Sequence, residues 1–416
     1  MDRRRAVVTG VGIVSPLGND RETAWPAICA GRSGIRLIQS FDTSSGFTVR
    51  IAGEVRDFDP LKYVTKREVR RMDRFALFAI AASEQAITSS RVLEGVANRE
   101  RIGVFVGSGI GGLPELESQH TKLIQQGPDR VSALTIPKLM SNAAAGQVSI
   151  RYGLRGPSMS VSSACASSSN AIGEAFESIR RGTVDVQVCG GAEAAVTPLG
   201  LSGFMQLKAL STRNDEPEKA SRPFEKNRDG FVMAEGAGIL VLEALEVATA
   251  RGARILAELV GYGASSDASH MTLPDPEGKG AARAMRNSLD DAGMQPRDIS
   301  YINAHGTGTP AGDDIEAKAI CQVFGDYARE VPVSSSKSMF GHLLGASGAL
   351  ESAVCIWALQ DNICPPTINL DEPDPECCGL NFVPHHSQKR PLNAVMNNSF
   401  GFGGHNVALI FKQYKQ

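Results

Sequence analysis

Several patterns that would assign a chain to a common functional class are missing from this sequence of 416 residues. It has no CxxC pair and no ladder of cysteine and histidine residues, so we expect no zinc site. A Walker A motif and a GxSxG motif are absent, which disfavours nucleotide hydrolases and α/β-hydrolases. The formal charge is only −2, so the basic surplus typical of nucleic-acid-binding proteins is also missing.

Long apolar runs and disulfide-rich segments are missing too. The long uncharged stretch over residues 156–173 consists mostly of Ser, Ala and Gly, so we expect no membrane span there. Eight cysteines are too few for a disulfide scaffold in a chain of this length. We therefore expect a cytoplasmic protein with mostly buried thiols. Glycine, by contrast, is abundant, with 43 residues, and predicts many tight turns.

Ten short apolar runs alternate with helical patterns along the chain. Runs of this kind are typical of strands buried on both faces between helix layers, which predicts an α/β fold. The predicted strands cover residues 6–9, 102–106, 159–162, 184–188, 239–242, 255–261, 299–303, 331–334, 394–398 and 407–411.

The chain also has the pattern of a duplication. A Val-Ser-Ser sequence opens at Val161 and again at Val333, and each is followed by a helix and then a strand after a Gly-rich turn. We predict two related halves, residues 1–253 and 254–416, that share a site at their interface. With only two matched segments, coincidence stays an alternative.

One glycine motif and one cysteine suggest a site. Residues 107–112 match GxGxxG after a predicted strand, so they could bind a dinucleotide or form a tight turn against another segment. Cys165 lies where a strand gives way to a helix, where the helix N-terminus would stabilise a thiolate. A buried structural cysteine is the alternative reading.

Other charged and titratable residues are candidates for the same site. His305 and His342 both follow buried strands, where ligand sites gather in α/β folds, although a single histidine is more often structural. Glu351 lies on an apolar helix and needs a partner such as Lys337, unless it faces solvent. Residues 66–71 carry four cationic side chains and one acidic one, and they form either a solvated helix face or a docking surface for an acidic partner.

Taken together, these residues resemble the β-ketoacyl-acyl-carrier-protein synthases of the thiolase superfamily, and most of all the chain-elongating synthase II type. The resemblance runs almost from end to end, and the ordered set of motifs is specific where each single motif is weak. The motifs are residues 7–12, 156–158, 163–165, 211–215, 228–231, 303–309, 337–342 and 399–404. The resemblance implies a thiolase-like five-layered αβαβα fold made of two duplicated halves, and a homodimer.

The resemblance also implies the chemistry. Cys165 would be the nucleophile that takes an acyl chain as a thioester, and His305 and His342 would assist decarboxylation of malonyl-acyl carrier protein. The N–H groups of Cys165 and Phe402 would form the oxyanion hole, with Phe402 also acting as a gate. Lys337 and Glu351 would support the histidines. The product would be a 3-oxoacyl-carrier protein that is two carbons longer.

Partners and binding residues are implied in the same way. The carrier protein would bring malonyl and acyl groups on its phosphopantetheine, so the chain would need no cofactor of its own. The implied residues are Thr307 and Thr309 for pantetheine, Ile110 at the entrance of the acyl pocket, Arg67, Arg70 and Arg71 for carrier docking, and Asn303, Glu351, Asn397 and Asn398 near a possible monovalent cation.

Other members of the superfamily stay as alternatives. A polyketide ketosynthase would carry the same active-site residues. A non-catalytic chain-length partner typically lacks the nucleophile, so Cys165 and the two histidines argue against it.

Overall fold

The structure, a computed structural model, describes residues 3–377 and 379–415. Its longer strands are mostly buried on both faces, as strands between helix layers must be. The strands are β1 (Ala6–Val14), β2 (Arg36–Leu37), β3 (Ile51–Ala52), β4 (Ile102–Gly107), β5 (Ser158–Val161), β6 (Val186–Glu193), β7 (Gly236–Ala244), β8 (Ala257–Ser266), β9 (Tyr301–Asn303), β10 (Pro332–Ser334), β11 (Ile363–Cys364), β12 (Asn381–Phe382), β13 (Gln388–Lys389), β14 (Ala394–Gly401) and β15 (His405–Lys412).

Helices connect most of these strands, and several begin at a capping side chain. Asp20, Asp73 and Thr197 each accept a hydrogen bond from a backbone N–H of the helix that follows. The α-helices are α1 (Arg21–Cys29), α2 (Lys66–Val69), α3 (Arg74–Ser90), α4 (Val92–Gly95), α5 (Leu113–Gln126), α6 (Thr135–Leu139), α7 (Ala143–Tyr152), α8 (Ser167–Arg180), α9 (Pro198–Gln206), α10 (Leu245–Ala250), α11 (Lys279–Ala292), α12 (Pro310–Phe324), α13 (Lys337–Phe340) and α14 (Ser347–Asp361). Short 3-10 helices cover Pro60–Lys62, Arg99–Arg101, Pro128–Arg130, Pro217–Lys219, Pro296–Asp298, Gly325–Arg329, Leu344–Ala346 and Pro375–Cys377.

The main sheet contains the same arrangement of strands twice. Its order is β12-β10-β9-β14-β15-β8-β1-β7-β6-β4-β5. From β1 to β5, successive neighbours are antiparallel, antiparallel, parallel and parallel. From β8 to β10 the same directions recur through β15, β14 and β9. The two sets join where residues 6–8 pair with residues 257–259. This topology agrees with the predicted duplication, while the boundary between residues 253 and 254 stays a prediction.

Helices form three layers around the two sets of strands. The helices α8 and α14 lie between the sets and pack against each other. Outside the first set lie α3 and α7, and outside the second lie α11 and α12. Residues 347–359 of α14 are all buried, as expected for a helix that is packed on every side. The predicted five-layered αβαβα fold is therefore confirmed.

The sequence predictions of the main elements are confirmed in position. Each of the ten predicted strands overlaps a strand of the main sheet. Among the residues that the structure describes, no helix is both long and apolar enough to cross a membrane. Six of the cysteines are free thiols, namely Cys29, Cys165, Cys189, Cys355, Cys364 and Cys377, and Cys378 lies outside the described residues.

Candidate active site

Cys165 lies in a strained turn between β5 and α8. Ala164, just before it, has φ of +50°, in the left-handed region that non-glycine residues rarely adopt. The hydroxyl of Ser167 holds the turn. It accepts a hydrogen bond from the Ser163 N–H at 2.9 Å and donates one to the Ala164 carbonyl at 2.6 Å. The turn places Cys165 two residues before α8 begins, in the wall of a cavity.

The sulfur of Cys165 is buried, and two backbone N–H groups are directed at it. One belongs to Cys165 itself and the other to Phe402, in the loop between β14 and β15. Burial raises the pKa of the thiol to about 11, and the positive charge of Lys337 opposes this rise. The predicted stabilisation of the thiolate by the helix N-terminus is therefore outweighed by the removal of the sulfur from water. The resting thiol is neutral near pH 7.

His305 and His342 face each other in the same cavity. Their ring centroids are 5.3 Å apart, with the planes at 84°. Nδ1 of His342 lies 2.8 Å from the Ser347 hydroxyl, while Nδ1 of His305 has no hydrogen-bond partner among the described residues. Burial is the main cause that lowers the pKa of both rings well below the usual value, with the charge of Lys337 next. Both imidazoles are therefore neutral at physiological pH.

Lys337 and Glu351 form a fully buried ion pair behind His305. The carboxylate of Glu351 contacts Nζ of Lys337, which also donates a hydrogen bond to the His305 carbonyl at 2.7 Å. The predicted pairing is thus confirmed, and the alternative of a solvent-facing Glu351 is wrong because its side chain is 0% exposed. Burial nevertheless raises the pKa of Glu351 to about 7, although Lys337 opposes this.

A cavity of about 330 Å³ connects these groups with the surface. Cys165 and the two histidines line it, and so do Thr307 and Thr309, whose hydroxyls are 3.0 Å apart. Phe402 lines it as well, with its ring centroid 6.3 Å from that of Phe204. The cavity therefore brings together the predicted nucleophile, both histidines and the two predicted pantetheine contacts.

Ile110 does not belong to this cavity. Its side chain is 40% exposed and lies outside the cavity wall, so the expectation of a place at the acyl-pocket entrance is not met within the single chain.

The loop that contains Ile110 is the GxGxxG segment, whose backbone N–H donors are already used. The buried carboxylate of Glu193 accepts hydrogen bonds from the N–H groups of Gly109 at 2.7 Å, Ile110 at 3.2 Å and Gly345 at 3.0 Å. A Cβ at Gly112 would lie 2.7 Å from the Lys138 carbonyl. The motif is therefore a tight turn. Dinucleotide binding would need free backbone N–H groups for the phosphates, and those of this loop are already used.

The three predicted docking residues, Arg67, Arg70 and Arg71, lie at the surface on and just after α2. All three are exposed, and none forms an ion pair with a described carboxylate. A capping box between Thr65 and Glu68 fixes the start of this short helix. We call Lys66 and these three arginines the basic cluster. Its guanidinium groups are free to contact an acidic partner.

The four residues predicted near a cation are all fully buried. Asn303 donates a hydrogen bond to the Asn397 side-chain oxygen at 3.1 Å. Oε2 of Glu351 and Oδ1 of Asn398 have no hydrogen-bond partner among the described residues. Buried oxygens without a donor are ligands that a hard cation could use. Their donor set fits such an ion, and no cluster of three or more acidic, His or Cys side chains suited to a metal occurs in the described part of the chain.

The sequence reading missed a carboxylate that supports His305. Glu316 on α12 accepts hydrogen bonds from the N–H groups of His305 at 2.8 Å and Gly306 at 2.7 Å. Burial raises its pKa to about 7. A signal was available, because Asp313, Glu316, Ala317 and the residue at 320 share one helix face, and a carboxylate among apolar residues needs a partner.

Ser347 was missed as well. It orients His342 through Nδ1, and it is the first residue of α14. No pattern in the sequence marks it, because one serine among many small residues has no distinctive spacing.

Comparison with known proteins adds the family context. A family model described as the N-terminal domain of beta-ketoacyl synthase matches residues 3–248, and one described as the C-terminal domain matches residues 256–371. The chain is 49% identical to 3-oxoacyl-[acyl-carrier-protein] synthase 2 of Synechocystis, covering 100% of this chain and 99% of that protein. It is 51% identical to the protein of the same name in Vibrio cholerae, covering 99% of this chain and 100% of that protein.

Solved structures with the same fold include a beta-ketoacyl synthase from Burkholderia phymatum, at 38% identity and a TM-score of 0.92. The ishigamide ketosynthase/chain length factor is similar at 37% identity and a TM-score of 0.93. A third is a ketosynthase in complex with the acyl-carrier protein of a type II polyketide synthase, at 33% identity and a TM-score of 0.92. Each match covers 99% of this chain and 100% of the other.

Proposed function

The chain belongs to the beta-ketoacyl synthase family, and from this premise we propose how its residues divide the work of a condensation. It is a 3-oxoacyl-[acyl-carrier-protein] synthase, a condensing acyltransferase that elongates a fatty acyl chain. The observation that most directly supports these roles is that one cavity holds Cys165 and two neutral histidines.

The first step transfers the acyl chain to Cys165. The sulfur attacks the thioester of the acyl-carrier protein, and its proton goes to the departing pantetheine thiolate. The negative charge on the former carbonyl oxygen is stabilised by the N–H groups of Cys165 and Phe402, which are directed at this part of the cavity. Since the resting thiol has a pKa of about 11, its deprotonation belongs to the attack itself and not to a prior equilibrium.

The second step uses the histidines. Their neutral rings donate N–H groups to the thioester oxygen of malonyl-carrier protein, while its C–C bond breaks and CO₂ leaves. A donating Nε2–H on His342 requires its Nδ1 to accept a hydrogen bond, and the Ser347 hydroxyl is placed to supply it. The enolate then attacks the acyl thioester and releases Cys165 as a thiolate, which takes up a proton from solvent. The product carries two more carbons.

The acyl carrier protein is the macromolecular substrate that we propose for the basic cluster. The cluster is exposed and unpaired, so its charges can attract an acidic protein, and electrostatic attraction speeds encounter. The solved complex of a similar ketosynthase with its acyl-carrier protein supports this type of partner. Phosphopantetheine arrives with that partner, so we propose no further cofactor.

A homodimer is proposed from the surface around β5. This strand is at the edge of the main sheet, and Met159 on it is 44% exposed. An open edge beside apolar side chains is unstable in water and fits a second copy of the chain. Nine of the exposed large apolar side chains fall in this part of the sequence: Ile110, Leu116, Leu123, Ile124, Leu134, Ile136, Met140, Ile150 and Met159. A partner on this surface would also cover Ile110.

We propose a reducing cytoplasm as the compartment. It is supported by six described cysteines that are free thiols, at positions 29, 165, 189, 355, 364 and 377.

A monovalent cation, if bound, would be held by Glu351, Asn398 and the neighbouring Asn303 and Asn397. It would neutralise buried oxygen charge without taking part in a step.

The test is a condensation assay with purified protein, malonyl-acyl carrier protein and an acyl-acyl carrier protein. We expect release of CO₂ and a 3-oxoacyl product two carbons longer, detected by mass spectrometry. Cys165→Ala should abolish condensation and leave decarboxylation by the histidines, whereas Cys29→Ala, at a cysteine that does not line the cavity, should retain both. Condensation that survives Cys165→Ala would refute the proposal.

The same assay distinguishes this function from the alternative, that of a polyketide ketosynthase. A polyketide ketosynthase would extend one chain repeatedly without reduction, so its products would grow by several two-carbon units. The identities of 49% and 51% to relatives named 3-oxoacyl-[acyl-carrier-protein] synthase 2, against 33% to the ketosynthase of a type II polyketide synthase, favour a single extension.

A further inference from the structure

Two adjacent serines after the nucleophile connect it to the rest of the active site. Ser168 and Ser169 are in the first turn of α8 and are both 0% exposed. Their hydroxyls point to different elements of the second half of the chain. We propose that Ser168 positions the two catalytic histidines. We propose that Ser169 positions the loop between β14 and β15, which carries an N–H group of the oxyanion hole. This inference rests on the proposed function of Cys165, His342 and Phe402.

Ser168 acts as a cap for a helix to which it does not belong. Its hydroxyl accepts a hydrogen bond from the Ala349 N–H at 3.0 Å. Ala349 is the third residue of α14, and the residue before the helix, Ala346, offers no side-chain cap. A helix start leaves such N–H groups without partners unless a side chain supplies an acceptor. Ser168 therefore fixes the start of α14.

The start of α14 is where two supports of the histidines originate. Ser347, its first residue, is hydrogen-bonded to Nδ1 of His342. Glu351, one turn later, is paired with Lys337, which also contacts the His305 carbonyl. A shift of this helix end would move both supports together. Ser168 is thus a positioning residue for decarboxylation.

Ser169 connects to the other side of the site. Its hydroxyl is 2.7 Å from the hydroxyl of Ser399, which is also 0% exposed. Ser399 is on β14, three residues before Phe402. Between them, Gly401 packs closely against the turn that holds Cys165. A Cβ at Gly401 would lie 2.8 Å from the Ser163 carbonyl oxygen. The Ser169–Ser399 hydrogen bond therefore helps to set the distance between the Phe402 N–H and the Cys165 sulfur.

Two assays should distinguish the proposed roles of the two serines. The first measures acylation of Cys165 by acyl-acyl carrier protein, read by intact mass. The second measures CO₂ release from malonyl-acyl carrier protein alone. Since displacements of about 1 Å in a catalytic group can cost up to about a hundredfold in rate, we expect Ser169→Ala to slow acylation at least about tenfold and to leave CO₂ release within about twofold. Ser168→Ala should give the opposite pattern.

Stability effects are controlled by a double variant and a matched serine. Ser169→Ala leaves Ser399 without a partner, and this lowers the melting temperature whatever the role of the pair. In Ser169→Ala/Ser399→Ala both hydroxyls are gone, so the melting temperature should recover while acylation stays slow. Ser178→Ala, at another buried serine of α8 that lies outside the cavity wall, should leave both assays unchanged.

The outcomes are distinct. Loss of both activities in parallel with melting temperature, or acylation that recovers with stability in the double variant, would show a merely structural role and overturn the inference. Wild-type protein that is inactive in condensation would instead refute the proposed function. Active wild type with both serine variants equal to Ser178→Ala would refute only the positioning roles.

Discussion

The buried pair of Lys337 and Glu351 gives the sharpest prediction of stability. Both side chains are at most 1% exposed, so removing one leaves the other in the interior without its partner. Breaking such a pair typically costs about 3–5 kcal/mol, whereas replacing both partners by apolar residues is often neutral. We expect Lys337→Met and Glu351→Met each to lose about that much of the free energy of unfolding, and the double variant to regain most of it.

The sign of the pH dependence follows from Glu351. Its pKa of about 7 in the folded chain exceeds the value of about 4.3 for an unfolded glutamate, so the folded state holds the proton longer. This carboxyl therefore reduces stability as pH rises from about 4.3 to 7 in the wild type. Without Lys337 the folded pKa rises further, and the decline continues above pH 7. The gap between wild type and Lys337→Met should widen there by up to about 1.4 kcal/mol per pH unit.

The assay is guanidinium unfolding followed by circular dichroism at pH 6, 7 and 8, at one fixed protein concentration. Lys279→Met is the matched control, because Lys279 pairs with Glu277 at the surface, where the side chains are 66% and 67% exposed. It should leave stability unchanged. Single variants that each lose less than about 1 kcal/mol, or a double variant that loses the sum of both, would refute the reasoning.

Three further predictions concern the site and its surface. Because the pKa of the Cys165 thiol is about 11, its alkylation rate in the free enzyme should rise about tenfold per pH unit from pH 7 to 10; a plateau below pH 8 by mass-spectrometric rate measurement would contradict this. Gly401→Ala should abolish acylation, since its Cβ would collide with the nucleophile turn, whereas Gly203→Ala, with nothing within 4 Å of the new Cβ, should retain it in the same assay. Reversing the charge of the three arginines in the basic cluster should raise the KM for acyl-acyl carrier protein more than about tenfold at low salt with the melting temperature unchanged, while Arg50→Glu, at another exposed arginine, should not; an equal KM in both would rule out docking there.

Much of the fold is predictable from the sequence because its strands are buried on both faces. Such strands appear as continuous apolar runs, and all ten runs belong to the main sheet. The repeated Val-Ser-Ser sequences start at the end of β5 and within β10, which have equivalent places in the two strand sets. The two-residue strands, such as β2 and β11, could not be predicted, since two residues carry no periodicity.

The sequence identifies the site residues that act through a particular side chain. It does not identify those that act by binding backbone N–H groups. Cysteine and histidine are rare enough for their context to mark them. Glu193 and Glu316 instead bind backbone N–H groups, which every residue offers, so no partner can be identified from sequence. The depth of burial that raises the pKa of Cys165 is likewise a property of the packed fold.

The continuous sheet has a consequence for how the chain is made. Pairing between β1 and β8 joins the two strand sets, and the other edge of β8 is covered only by β15, the last strand. During synthesis, β8 therefore emerges with one open edge, and roughly 140 further residues must follow before β15 can close it. At about 5–20 residues per second this takes roughly 7–30 s. Throughout that time the nascent chain presents an apolar strand edge to other chains, so crowded ribosomes and premature stops in the second half should favour aggregation.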